Sequence, residues 1–132
     1  MKGKFITFEG ADGGGKSTQV QLAAAWLRER GYEVVTTREP GGTVLAEKVR
    51  ELVLDPNLPL NSTSQSLLYL AARSEHVEKV IRPALETGKI VLCDRFSDST
   101  LVYQGLALGK ELAELTVLQQ LCSFATAGLE PD

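Results

Sequence analysis

Lys16 and Ser17 close the glycine run Gly10-Ala11-Asp12-Gly13-Gly14-Gly15-Lys16-Ser17-Thr18, which fits the pattern G-x-x-x-x-G-K-[ST]. Glycines let the backbone take positive φ and come close to a ligand, so that successive N–H groups converge on phosphate oxygens. Lys16 adds a point charge. The Ser17 hydroxyl is placed to reach a Mg²⁺ held by the same phosphates. The plain alternative is a glycine-rich turn that happens to precede a lysine. Context argues against it, because the apolar run Phe5-Ile6-Thr7-Phe8 comes before the glycines and a helical pattern follows them. The working expectation is a nucleoside triphosphate site.

Two further polar clusters could contribute chemistry. Arg38-Glu39-Pro40-Gly41-Gly42-Thr43 is a cluster of breakers that must be loop. Asp94-Arg95-Phe96-Ser97-Asp98-Ser99-Thr100 follows the apolar run Ile90-Val91-Leu92. Asp94 stands where a strand-end carboxylate could steady a metal, or could simply cap the strand. Arg95 offers a fork that can pair with phosphate oxygens, or an ordinary surface ion pair.

The elements that must position these clusters follow from periodicity. Residues 4 to 9 read as a buried strand, and Lys16 to Arg30 as a helix with Val20, Ala23, Ala24 and Leu27 on one face, stopped by Gly31. Tyr32 to Thr37 is a second strand. Thr43 caps a helix to about Leu54, with Glu47 one residue late for a strict capping box. Asn61 or Ser62 opens a long helical stretch to Thr87, broken or kinked near Pro83, with Leu67, Leu70, Val77 and Ile81 toward a core. Lys89 to Cys93 is a third strand, continuously apolar as when both sheet faces are covered. A helix through Tyr103 is expected next, then one from about Lys110 to Ala125 striped by Leu112, Leu115, Leu118 and Leu121. Alternating strands and helices imply an α/β chain of P-loop NTPase fold, with a parallel sheet and right-handed crossovers. Ligands in such sheets collect outside the carboxyl ends of the strands, which puts all three clusters at one edge.

The chain has 132 residues, 43% hydrophobic and 23% charged, as expected of one globular domain over residues 1–132. A net charge of −3 supplies no electrostatic reason to bind nucleic acid. The apolar run after Met1-Lys2-Gly3-Lys4 is too short for a signal peptide, and no run approaches the ~20 residues of a membrane span. Cys93 and Cys122 lack metal-like spacing, so buried free thiols and a cytoplasmic location are expected. His76, between Glu75 and Glu78, is expected on a solvated face.

Taken together, residues 8–18, 37–43, Ala72-Arg73-Ser74-Glu75-His76, and Asp94-Arg95-Phe96 with Tyr103-Gln104-Gly105 closely resemble the bacterial type of thymidylate kinase. The resemblance implies transfer of the ATP γ-phosphoryl group to dTMP, with Mg²⁺ as cofactor, in a homodimer. It gives residues 10 to 18 the ATP phosphates, Ser17 and Asp94 the metal, and Asp12 the sugar 3′-hydroxyl and the metal shell. Arg95 would lie between donor and acceptor phosphates, so that Lys16, Arg95 and Asp12 form the catalytic set. Tyr69 would stack on thymine while Arg73 bonds its edge, Thr100 and Gln104 would add base contacts, and Tyr103 would lie under the deoxyribose. Arg38 and Arg50 would reach the dTMP phosphate. Without the likeness, Asp12 could be a turn former, Arg38 and Arg50 solvated, and Arg73 a snorkelling side chain over a core tyrosine.

The resembling family runs on past the position of Asp132 into a fourth strand, a lid and a fifth strand, so three of five strands are expected here and the chain reads as a fragment or an incomplete gene product. No arginine stands at Gly13, and the bacterial type takes that charge from the lid; such an arginine can be worth a factor of about 10³ to 10⁵ in rate. A catalytically silent nucleotide-binding piece needing that segment, or a kinase for another monophosphate, are the alternatives.

Overall fold

The computed structural model describes residues 2–10, 15–96 and 112–132. Three strands form its sheet: β1 (Lys4–Phe8), β2 (Val34–Arg38) and β3 (Ile90–Asp94). They lie in the order β1-β3-β2 and both pairings are parallel, so β3 is central. Phe8, Asp94 and Arg38 stand side by side at the carboxyl ends of the three strands. Two backbone bonds carry the register one step further, Arg95 N–H to the Phe8 carbonyl at 3.0 Å and Glu39 N–H to the Asp94 carbonyl at 2.9 Å.

Helices cover both faces, which explains why β3 is uninterruptedly apolar. On one side α1 (Lys16–Glu29) sets Val20 and Ala24 against Ile90 and Leu92. On the other, Val91, Cys93, Phe5 and Phe96 meet Val77, Ile81 and Ala84. Phe5 and Phe96 touch edge to face, with centroids 4.8 Å apart.

The long helical stretch is three pieces: α3 (Ser62–His76), a π-helical segment (Val77–Ile81) and α4 (Arg82–Glu86). The expected break near Pro83 therefore takes the form of a widened turn just before the proline. Proline lacks the N–H of a regular turn and its ring crowds the carbonyl four residues back, and the π turn accommodates both. Helix α2 (Val44–Leu54) packs Ala46 and Val49 on Ala72 of α3, and α5 (Leu112–Thr126) packs Leu118 and Cys122 on Leu70.

Two apolar assignments change. Leu67 is 52% exposed rather than in the core, and the buried face of α5 runs through Leu118 and Cys122, with Leu121 at its margin. Both cysteines are buried and free. Among the described residues strand β1 is one edge of the sheet, where Asp132 bonds Phe5 twice, through its N–H to the Phe5 carbonyl at 2.7 Å and its Oδ2 to the Phe5 N–H at 2.8 Å. Among the described residues no helix is long and apolar enough to cross a membrane. The helix expected through Tyr103 lies outside the described residues.

Candidate functional site

The phosphate-type loop leaves β1 at Phe8 and returns as α1. Gly15 caps that helix with φ 80°, a left-handed conformation that favours glycine, and its carbonyl accepts the first helical bond from Gln19 N–H at 2.9 Å. Lys16 and Ser17 thus occupy the first turn of a 14-residue helix with no acidic residue in that turn. The partial positive charge of the helix end adds to that of Lys16, a local environment suited to anions. Lys16 Nζ stands 4.0 Å from Asp94 Oδ1. Asp94 Oδ1 is buried and has no hydrogen-bond partner among the described residues.

A cleft of about 330 Å³ opens beside this pair, lined by Ser17, Gln21, Thr37, Arg38, Glu47 and Asp94 with Val20, Thr36 and Gly42. Three residues singled out from the sequence, Ser17, Arg38 and Asp94, meet there. Thr18 is exposed on α1, and Gly10 is exposed just past β1. Arg95 follows with φ 73°, an uncommon conformation for a residue with a side chain, which its N–H bond to Phe8 helps to fix.

The loop 39–43 is held from both ends. Thr43 caps α2 by accepting from Ala46 N–H at 3.1 Å, and Glu47 reaches back to accept from Gly42 N–H at 3.1 Å. A capping box displaced by one residue results, which is why Glu47 looked late in the sequence. That bond with Gly42, more than the nearby Arg38 and Arg50, holds the Glu47 carboxyl below its ordinary range. Arg38 pairs with Glu47 at 3.4 Å and is half exposed. Arg50 Nη1 donates to the Pro40 carbonyl at 3.2 Å. Tyr69 is half-buried near Arg50; burial pushes its phenol up, against the pull of that arginine.

Below the loop lies a closed polar array. Arg73 Nε donates to Glu39 Oε1 at 2.6 Å, His76 Nδ1 meets Glu39 Oε2 at 2.6 Å, and His76 Nε2 meets Thr37 Oγ1 at 2.6 Å. Burial would raise the Glu39 carboxyl, but the charge and hydrogen bonds of Arg73 and His76 outweigh it and hold it below the ordinary value. An ionised carboxylate only accepts, so the His76 proton must sit on Nδ1.

His76 is therefore corrected: its side chain is fully buried, not solvated. Arg73 does not snorkel either, since its side chain is 3% exposed, with its guanidinium carbon 5.1 Å from the Phe96 ring. Glu39, Thr37 and His76 went unrecognised as site residues. A signal existed, because Arg73 and His76 share a helical face with Ser66, Leu70 and Val77, all buried. Asp12 with Ala11, Gly13 and Gly14, and Thr100, Tyr103 and Gln104, lie outside the described residues.

Comparison with known proteins agrees with this arrangement. The family model "Thymidylate kinase" matches residues 8–132. A thymidylate kinase from an Exiguobacterium species is 49% identical over the whole of this chain and 61% of its own length. One from Symbiobacterium thermophilum is 52% identical over 96% of this chain and 58% of its own. The crystal structure of thymidylate kinase from Ehrlichia chaffeensis superposes with a TM-score of 0.90 at 45% identity, over 100% of this chain and 72% of that one. The chain thus spans about three fifths of the length of these curated relatives, and it carries the parallel sheet and phosphate-type loop of the P-loop NTPase fold. On this match of sequence and structure, the chain belongs to the thymidylate kinase family.

Proposed function

We propose that the protein transfers the γ-phosphoryl group of ATP to dTMP, yielding dTDP and ADP. The observation that carries this reading is the meeting of Ser17, Arg38 and Asp94 at one cleft on the carboxyl edge of the sheet, with Lys16 4.0 Å from Asp94, in a chain of this family. Phosphoryl transfer asks mainly for positioning and charge neutralisation, and these residues suit both.

In this reading Lys16 and the amides of residues 10 to 18 hold the ATP phosphates. Asp94 and the Ser17 hydroxyl would hold Mg²⁺. A hard divalent cation takes oxygen ligands, and the buried Asp94 Oδ1, with no hydrogen-bond partner among the described residues, fits that requirement. When bound, the ion would neutralise charge building on the transferring group. Asp12 takes the sugar hydroxyl, and Arg95 stands between the two phosphates. Arg38 and Arg50 take the dTMP phosphate. Tyr69 stacks on the base and Arg73 faces its edge, with Thr100, Tyr103 and Gln104 completing the acceptor site.

We also propose a cytoplasmic homodimer. A groove between α3 and α5, lined by Leu67, Val117, Leu118 and Leu121, and the 85% exposed Phe124 beside it support a second copy as its occupant. Two buried free thiols are consistent with a reducing compartment.

Coupled ADP release with dTMP, dUMP, dCMP and dGMP as acceptors tests the activity, using the chain alone and the chain supplied with the remaining segment of a relative. Preference for dTMP in either supports the reading. Preference for another acceptor, or turnover in neither despite folded protein, ends it.

A further inference from the structure

Of the array Thr37–His76–Glu39–Arg73 only Thr37 lines the cleft, and the other three side chains are almost fully enclosed. A buried Arg–Glu pair is weak evidence of stabilisation by itself, because desolvation offsets most of the attraction. Its geometry suggests another use. Glu39 Oε1 engages Nε, the inner edge of the guanidinium, while the Phe96 ring lies with its centroid 5.1 Å from the guanidinium carbon. The group is thus fixed both in its plane and across it. Glu39 in turn cannot swing, since His76 takes its other oxygen and Thr37 takes the far side of His76.

The loop backbone presses the imidazole into place. A Cβ added at Gly42 would come 2.6 Å from His76 Cδ2 and 3.0 Å from Thr37 Oγ1, at φ +92°. One loop therefore carries Arg38 to the cleft and Glu39 to Arg73.

We propose that Glu39, His76 and Thr37 are positioning residues that lock the Arg73 guanidinium so that it selects thymine over cytosine. The inference rests on the reading that Arg73 faces the acceptor base. A guanidinium only donates. Thymine and uracil present the O4 acceptor where cytosine presents an amino donor. A donor that cannot turn aside rewards the first pair and confronts the second with a donor facing a donor. An arginine free to rotate would lose both effects.

Glu39→Gln tests this, because the amide matches the carboxylate in shape and removes its charge. Affinities of the intact chain for dTMP, dUMP, dCMP and Mg·ADP are measured by calorimetry, with thermal unfolding as the control for folding. The preference for dTMP over dCMP should fall at least about fivefold. The preference for dTMP over dUMP and the affinity for Mg·ADP should stay as in the parent chain. His76→Gln should shift the same ratio in the same direction by less. An unchanged dTMP to dCMP ratio in folded Glu39→Gln overturns the proposal, as does an equal loss for all four ligands, which would mark a merely structural role. Should Glu39→Gln not fold, His76→Gln decides by the same criteria. A parent chain that fails to bind dTMP overturns the acceptor-site reading as well, whereas binding with an unchanged ratio overturns the positioning role alone.

Discussion

The two charged regions at the carboxyl edge of the sheet are built on opposite plans. Around the phosphate-type loop, Lys16 and Asp94 are 4.0 Å apart and their side chains keep 12% and 24% exposure. In the array beneath the neighbouring loop, Arg73, Glu39 and His76 keep 3%, 4% and 0%, and each contact is 2.6 Å. The first region leaves room for a ligand to supply the missing oxygens. In the second, both oxygens of the Glu39 carboxylate are already taken by the protein's own groups, Arg73 Nε and His76 Nδ1. In the proposed function, affinity for a polyphosphate and selectivity for a base would come from groups prepared differently, the one more open and the other fixed.

Substitutions should separate the two plans by their effect on stability. Glu39→Ala should be the most damaging, because it leaves the Arg73 charge and the His76 ring buried without their carboxylate; a loss of about 3–5 kcal/mol in denaturant unfolding is expected. A loss under 1 kcal/mol would mean that the array relaxes into water and is not closed. Gly42→Ala should cost about 1–3 kcal/mol, since the new methyl group meets His76 in a left-handed backbone conformation.

Acid should reveal the same carboxylate. The folded Glu39 carboxyl lies below its ordinary value of 4.5, so the unfolded chain binds its proton first as pH falls. Its contribution to stability is complete above that value, declines as pH drops below it, and is gone below the folded value. Stability measured from pH 6 down to 2 should therefore fall less steeply in Glu39→Gln than in the parent, by up to about 1.4 kcal/mol per pH unit. Equal slopes would contradict an ionised Glu39. At the other region, Lys16→Ala should change stability by less than about 1 kcal/mol, because its ion pair with Asp94 is a loose and partly solvated one.

The difference also governs how much could be read from the sequence. The phosphate-type loop is local: strand, glycines, Lys16, Ser17 and helix follow one another within one short stretch, and each step has its own physical signature. Strand β3 announced itself by Ile90-Val91-Leu92, apolar because helices cover both faces. The closed array is not local. Glu39 is separated from Arg73 and His76 by 34 and 37 positions, and only tertiary packing joins them. Between Glu75 and Glu78, His76 looked solvated, because charged neighbours are normally a sign of surface. Glu75 is in fact occupied by Lys79 one turn on, at 2.7 Å, and His76 points the other way. Pro83 signalled a break, but the widened turn that absorbs it depends on Val77 and Ile81 staying against the sheet. The α5 leucines misled for a similar reason, since spacing alone cannot say which of two apolar faces meets α3.

The central claim is that Lys16, Ser17 and Asp94 receive a nucleotide polyphosphate together with its metal. Titration of the folded chain with ADP, with and without Mg²⁺, compared with the same titration of Lys16→Ala, tests it most directly. Saturable, Mg²⁺-enhanced binding that Lys16→Ala weakens by about 10²-fold or more is predicted, in line with the loss of one preorganised donor to a charged group. Absence of affinity in folded parent protein, or equal affinity in the two proteins, would contradict it.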